Sequence, residues 1–101
     1  MAVSIVIVEA KQFVAPSGSI VESAALLGDE VNARLRGAEL VRVDLSGLRG
    51  LSSSYFNTFL QRVVPMTGIE DFPRRVELVF DSAAQEQVFA RSMEFLKRSV
   101  A

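Results

Sequence analysis

The chain has 101 residues, half of them hydrophobic, and a formal net charge of −1. That length suits one small domain with a single core, the hydrophobic share argues against disorder, and the near-zero charge offers no global field for nucleic acid or an anionic membrane. Cysteine and histidine are both absent, which excludes disulfides, thiolate metal sites and thiol catalysis, and removes the commonest general base and metal ligand.

The stretch "AVSIVIV", residues 2–8, is a continuous β-branched run and predicts a strand buried on both faces. It lacks a basic leader region and Glu9 ends it early, so it does not read as a signal peptide. No apolar run approaches the roughly 20 residues of a membrane helix, and a soluble cytoplasmic protein without a membrane partner is expected. Phe13 and Val14 allow a short extra strand before Pro16 and Gly18 break the chain.

Residues 19–37 predict a helix. Ser19 and Glu22 have capping-box spacing, and Ile20, Ala24, Leu27, Val31 and Leu35 recur along one face. Gly28 is a weak point within it, costing about 1 kcal/mol relative to Ala, and Gly37 suits its C-terminal end. Residues 39–45 predict a strand. A helix follows over about 53–64, with Phe56, Phe59, Leu60 and Val63 as its apolar stripe and Pro65 as its stop. The loop "PMTGIEDFPRR" leads to a strand at 75–80 and a last helix at 81–99. Ser82 and Gln85 open that helix with a second capping box, Ala84, Val88, Phe89, Met93, Phe95 and Leu96 are expected to face inward, and Lys97 and Arg98 suit its C-terminal dipole.

Strands alternating with helices imply an α/β fold. The expectation is one domain over 1–101, with a small, mostly parallel sheet of three or four strands and about three helices mainly on one face. The other face is then left for a partner or a neighbouring copy.

No catalytic constellation emerges from the residues. Gly47-x-x-Gly50 is not a phosphate-binding loop, and no dinucleotide fingerprint is present. A serine nucleophile finds no histidine, and neither Lys11 nor Lys97 stands in a Ser-x-x-Lys motif. Asp44, Glu70, Asp71 and Asp81 show no calcium-loop spacing, so no metal or cofactor is expected. Asp44, at a strand end, is read as a structural residue that ties down its turn. The pairs Arg34/Arg36, Arg74/Arg75 and Lys97/Arg98 read as solvated faces rather than a nucleic-acid surface.

Ser52, Ser53 and Ser54 remain. One serine suffices to cap the helix, a role worth about 1 kcal/mol. The other hydroxyls are candidates for modification, because a phosphate at a helix N-terminus suits the helix dipole while adding negative charge to any interface built there.

These residues also carry a resemblance. "VRVDLSGLRGLSSSYFNTFL", residues 41–60, resembles the central strand–turn–helix of STAS domains, the fold of bacterial anti-sigma-factor antagonists. It is closer still to a STAS-like family of unknown function, whose members read Asp-Phe-x-Gly-Val-x-Gly-Ile-Ser-Ser-Ser-Phe before a helix containing asparagine. Asn57 stands in that place here, and the likeness extends over about residues 17–98. In the antagonists a serine at the helix N-terminus is phosphorylated by a GHKL-type ATPase that acts as a serine kinase. Alignment of the motif puts that serine at Ser53, with Ser54 and Ser52 as substitutes, and Ser52 stands where the antagonists have an aspartate.

The resemblance therefore implies a non-enzymatic regulatory domain. It would bind a GHKL-type ATPase or another regulatory protein through Gly50, Ser52, Ser53, Ser54, Tyr55, Asn57, Thr58 and Gln61. The alternative is an assembly subunit, with homo-oligomers, that works without phosphorylation. A third reading is a small ligand- or metal-binding enzyme centred on Asp44 and Asp81.

Overall fold

The structure, a computed structural model, describes residues 4–100. Three strands, β1 (Ile5–Glu9), β2 (Leu40–Asp44) and β3 (Val76–Val79), form one parallel sheet in the order β1-β2-β3. Helix α1 (Ile20–Leu35) connects β1 to β2, α2 (Ser53–Thr67) and the single turn α3 (Phe72–Arg75) connect β2 to β3, and α4 (Ala83–Val100) follows β3. The expected α/β architecture is present, with its parallel crossovers.

The register aligns Val6 with Val41 and Val76, and Ile7 with Arg42 and Glu77. Side chains alternate across a strand, so Val8, Val41, Val43 and Val76 are buried beneath the helices. Ile5, Ile7, Arg42, Glu77 and Val79 share the opposite face, where Ile7 is 60% exposed. The expectation that β1 is buried on both faces is corrected here. β1 is an edge strand of the described sheet, and no described helix covers that side.

α1 and α2 make the closest helix pair. Ala24, Leu27, Val31 and Leu35 of α1 meet a core with Phe56, Phe59, Leu60 and Val63 of α2, as the apolar spacing implied. Ile20 departs from that stripe and is 43% exposed. Gly28 explains itself in this contact: a Cβ there would stand 2.8 Å from the Arg62 Cβ. Its helical cost is offset by letting the two backbones approach. On α4, Met93 is buried and Phe89 packs edge-on to Phe56, with centroids 5.6 Å apart, while Phe80 lies at 5.5 Å from Phe89. Phe95 and Ala84, expected inside, are exposed, and the buried polar residues Gln85 and Ser92 occupy the inward face with Met93 instead.

Two further expectations change. Phe13 and Val14 form no strand; a 3₁₀ turn at Ala10–Gln12 ends β1's path, closed by the Phe13 N–H on the Ala10 carbonyl at 3.0 Å. Pro65 does not stop α2, which continues to Thr67. A proline removes only the one N–H that would bond the carbonyl four residues back, here that of Gln61, and the ladder resumes beyond it. Buried Val63 and Val64 hold the last turns, and Gly68 ends the helix at φ 82°, ψ 150°, its N–H bonded to the Val64 carbonyl at 2.7 Å.

Candidate functional site

The serine corner is built by the loop from Leu45 to Ser52. Its start is fixed where β2 ends: the Ser46 N–H donates to Asp44 Oδ1 at 2.9 Å. The hydrogen bonds from Ser46 hold the Asp44 carboxyl below the usual carboxylate range. This is the turn-holding role expected of a strand-end aspartate. The Leu48 N–H then reaches back to the Leu45 carbonyl at 3.2 Å.

The middle of the loop is held from elsewhere. Gln85, 6% exposed, donates from Nε2 to the Leu48 carbonyl at 2.7 Å. Its Oε1 accepts from the Asp81 N–H at 2.9 Å, and its own N–H donates to Ser82 Oγ at 3.2 Å. One side chain thus joins the serine loop to the start of α4. The Ser-x-x-Gln spacing located this residue in the sequence, but only as a local cap. Its bond to Leu48, 37 positions away, is a product of tertiary structure that local spacing does not encode.

Ser52 occupies the N-cap position of α2 with extended backbone angles, φ −93° and ψ 172°, yet its hydroxyl accepts no cap hydrogen bond. The Ser52 carbonyl takes the Tyr55 and Phe56 N–H groups at 3.1 and 3.4 Å. Capping by a serine side chain, expected at this helix, is therefore absent. It does occur at α1, where Ser19 Oγ accepts from the Glu22 N–H at 3.2 Å. Ser53 and Ser54 are exposed in the first turn of α2, and that turn carries no acidic residue. A helix N-terminus without a carboxylate keeps its favourable potential for an anion.

The residues expected to face a partner divide into two groups. Gly50, Ser53, Ser54 and Gln61 are exposed, and Ser52, Asn57 and Thr58 are half-exposed. Ser54, Thr58 and Gln61 lie along one side of α2 at helical spacing. Asn57 and Gln61 border a groove of about 140 Å³ between α2 and α4, shared with Phe95 and the buried Ser92. Phe95, expected to face inward, is instead 67% exposed and stands beside this groove. Tyr55 belongs to the other group. It is 3% exposed and packs edge-on to Phe56 at 5.5 Å, so it is not part of the outward stripe.

Among the described residues, no three or more aspartate or glutamate side chains are grouped so that they could hold a metal ion. The basic pairs also separate. Arg74 is exposed, 3.9 Å from Asp71, whereas Arg75 is not a solvated residue. It donates to the carbonyls of Leu35, Ala38 and Glu39 at 2.8, 3.0 and 2.9 Å. Among the described residues, no helix is long and apolar enough to cross a membrane. Compared with protein-family models, curated proteins and solved structures, the chain matches none.

Proposed function

We propose that this chain is a regulatory protein-interaction domain of STAS-like type that docks a GHKL-type ATPase or a related regulator through the serine corner, without catalysis of its own. The observation that carries this reading is the state of the corner. Ser53 and Ser54 are displayed on the first turn of a 15-residue helix, and that turn holds no carboxylate. A phosphate there suits the helix terminus and adds nearly two negative charges to whatever docks beside it. The docking surface continues along Ser54, Thr58 and Gln61 toward Phe95, an aromatic of the kind that anchors interfaces.

The test is capture of a GHKL-type ATPase encoded beside this chain, followed by phosphopeptide mass spectrometry after incubation with ATP. Capture by the unmodified chain, modification within Ser52–Ser54, and at least a roughly tenfold loss of capture by Ser53→Asp are expected, since like charge or desolvation at an interface costs on the scale of a kcal/mol or more. Absence of both capture and modification would refute the proposal. So would a complex indifferent to Ser53→Asp.

A second reading, an assembly subunit, is favoured by the uncovered sheet face. Ile5, Ile7 and Val79 are exposed there around the Arg42–Glu77 ion pair, which is 2.8 Å long. Arg42 and Glu77 stand side by side across β2 and β3 at the centre of that face, with Glu9 and Asp44 toward one end of it. A two-fold pairing of the face lets the Arg42 of each copy meet the Glu77 of the other. Light scattering that finds a dimer, lost in Ile7→Lys and indifferent to Ser53→Asp, would support this reading. A monomer at all concentrations would end it.

A further inference from the structure

The backbone groups of β1 divide into two sets. The Leu40 N–H donates to the Ser4 carbonyl at 3.1 Å, and Ile5 stands beside Leu40 in the register. Successive residues of an extended strand turn their N–H and C=O groups to opposite edges. Val6 and Val8 therefore bond to β2, while Ile5, Ile7 and Glu9 turn theirs outward. Glu9 is the N-cap of the 3₁₀ turn, which takes its carbonyl. The N–H and C=O of Ile5 and Ile7, and the Glu9 N–H, have no backbone partner among the described residues.

An open edge is commonly blunted by a charge, a proline or a bulge. Ile5–Val8 has none of these: its residues are all β-branched and apolar, and its register with β2 is unbroken. Ile5 and Ile7 are 46% and 60% exposed, and even Val6, on the helix side, is only half-buried. The opposite edge, β3, is shorter and carries Glu77.

We propose that β1 pairs antiparallel with β1 of a second copy, about a two-fold axis through Ile7, so that two three-stranded sheets become one. The outward groups set this register. Ile7 meets Ile7 of the copy and exchanges two hydrogen bonds with it. The Glu9 N–H of each copy then reaches the Ile5 carbonyl of the other. Val6 stands opposite Val8 of the copy as a non-hydrogen-bonded pair, the kind with the closest side chains. The two Glu9 carboxylates fall at opposite ends of the pairing, so no like charges oppose each other.

The charges of α1 agree with the same partner. The axis is perpendicular to the sheet, so both helix layers lie on one side of it. Gly28 and Asn32 face α2. Leu26, Glu30 and Arg34 recur every fourth residue on the flank away from α2, and since α1 joins β1 to β2 this flank lies toward the open edge. Leu26 is 43% exposed, and Arg34 pairs with Glu30 at 2.8 Å. Antiparallel approach of two such flanks lets the Glu30 of each copy meet the Arg34 of the other. The face that carries Arg42 and Glu77 stays open, unlike in the face-to-face pairing above.

Sedimentation over a range of concentrations measures the association, and nuclear Overhauser contacts in a mixture of ¹³C-labelled and unlabelled chain locate it. Expected are a dimer, an intermolecular contact between Val6 Hα and Val8 Hα, and slowed amide exchange at Ile7 as the dimer forms. Ile7→Pro removes the central outward N–H, a change that an edge strand tolerates, and should weaken the dimer at least roughly tenfold through two lost hydrogen bonds. Ile7→Thr keeps that N–H while removing the apolar side chain from the open face, and should still dimerise. Arg34→Glu, away from the ladder, should weaken the dimer roughly threefold to tenfold. A monomer at all concentrations overturns the proposal. So does a dimer that lacks the Val6–Val8 contact, survives Ile7→Pro or is indifferent to Arg34→Glu.

Discussion

Arg75 donates to three backbone carbonyls, two of them just past the end of α1 and one at its last residue. The last carbonyls of a helix lack partners within it, and a planar guanidinium can reach several at once from one position. Arg75→Lys keeps the charge but loses the fork. It is expected to destabilise the chain by about 1.5–3 kcal/mol, the range for hydrogen bonds to charged groups, as read from the midpoint of urea unfolding. Arg74→Lys, next in sequence but exposed, should leave the midpoint unchanged. The sequence presents these two arginines as equivalent, since a side chain's target 36 to 40 positions away is set by topology and not by its neighbours. Tyr55 gives a second measurement at this scale. Its folded pKa of about 12 exceeds the ordinary 10 because burial disfavours the phenolate. The unfolded chain therefore loses the proton first as pH rises. The contribution to stability is complete below pH 10 and is lost between about 10 and 12. Absorbance of the single tyrosinate should stay flat through pH 10 while the chain is folded, and should rise near 12 or together with unfolding. A normal titration at 10 with the fold intact would contradict the burial.

Among the elements, α1 and α2 meet across Gly28, and the meeting decides what this glycine does. Helix propensity alone favours Gly28→Ala by about 1 kcal/mol. A Cβ 2.8 Å from the Arg62 Cβ cannot be accommodated by swinging a flexible tip, and overpacking of this kind costs about 1–3 kcal/mol. The variant is expected to melt at lower temperature, by a few degrees, and Gly28→Leu by more. A rise in Tm would show that α1 and α2 separate easily. The same helix pair shows where local signals stop being sufficient. The apolar stripes of both helices were legible because period 3.6 places them on one face whatever the partner. The end of α2 was not, because the penalty of Pro65 is local whereas Val63, Val64 and the Gly68 cap act through packing and backbone geometry. Phe95 failed for a related reason: α4 turns Gln85, Ser92 and Met93 inward, and a buried glutamine that clasps another loop is invisible to a hydrophobicity pattern.

For the molecule as a whole, the alternation of strand and helix was enough to read the sheet as parallel, and three helices in 101 residues were too few to cover both of its faces. The three-strand order adds what the sequence does not carry, namely which strand lies at the centre. β2 holds that place, and the serine loop leaves directly from its C-terminal end, where open α/β sheets present loops for binding. The candidate corner was located by the serine triplet. Its composition was legible, but the partition into exposed Ser53 and Ser54, an uncapping Ser52 and a buried Tyr55 required the helix to be placed against its neighbours.

The Gln85 clasp makes the loop at Leu48 and the entry to α4 parts of a single opening unit. A local fluctuation that releases either one must break the same 2.7 Å bond. Native-state hydrogen exchange should therefore show the amides of Asp81 and Gln85 sharing one opening free energy with those of the loop around Leu48. Gln85→Leu, which preserves bulk and removes the clasp, is expected to lower protection in both segments together while leaving α1 unchanged. Unequal responses of the two segments would show that the loop is held by its own turn alone. If the link holds, a partner seated on the serine corner slows exchange at the start of α4, a segment it need not touch.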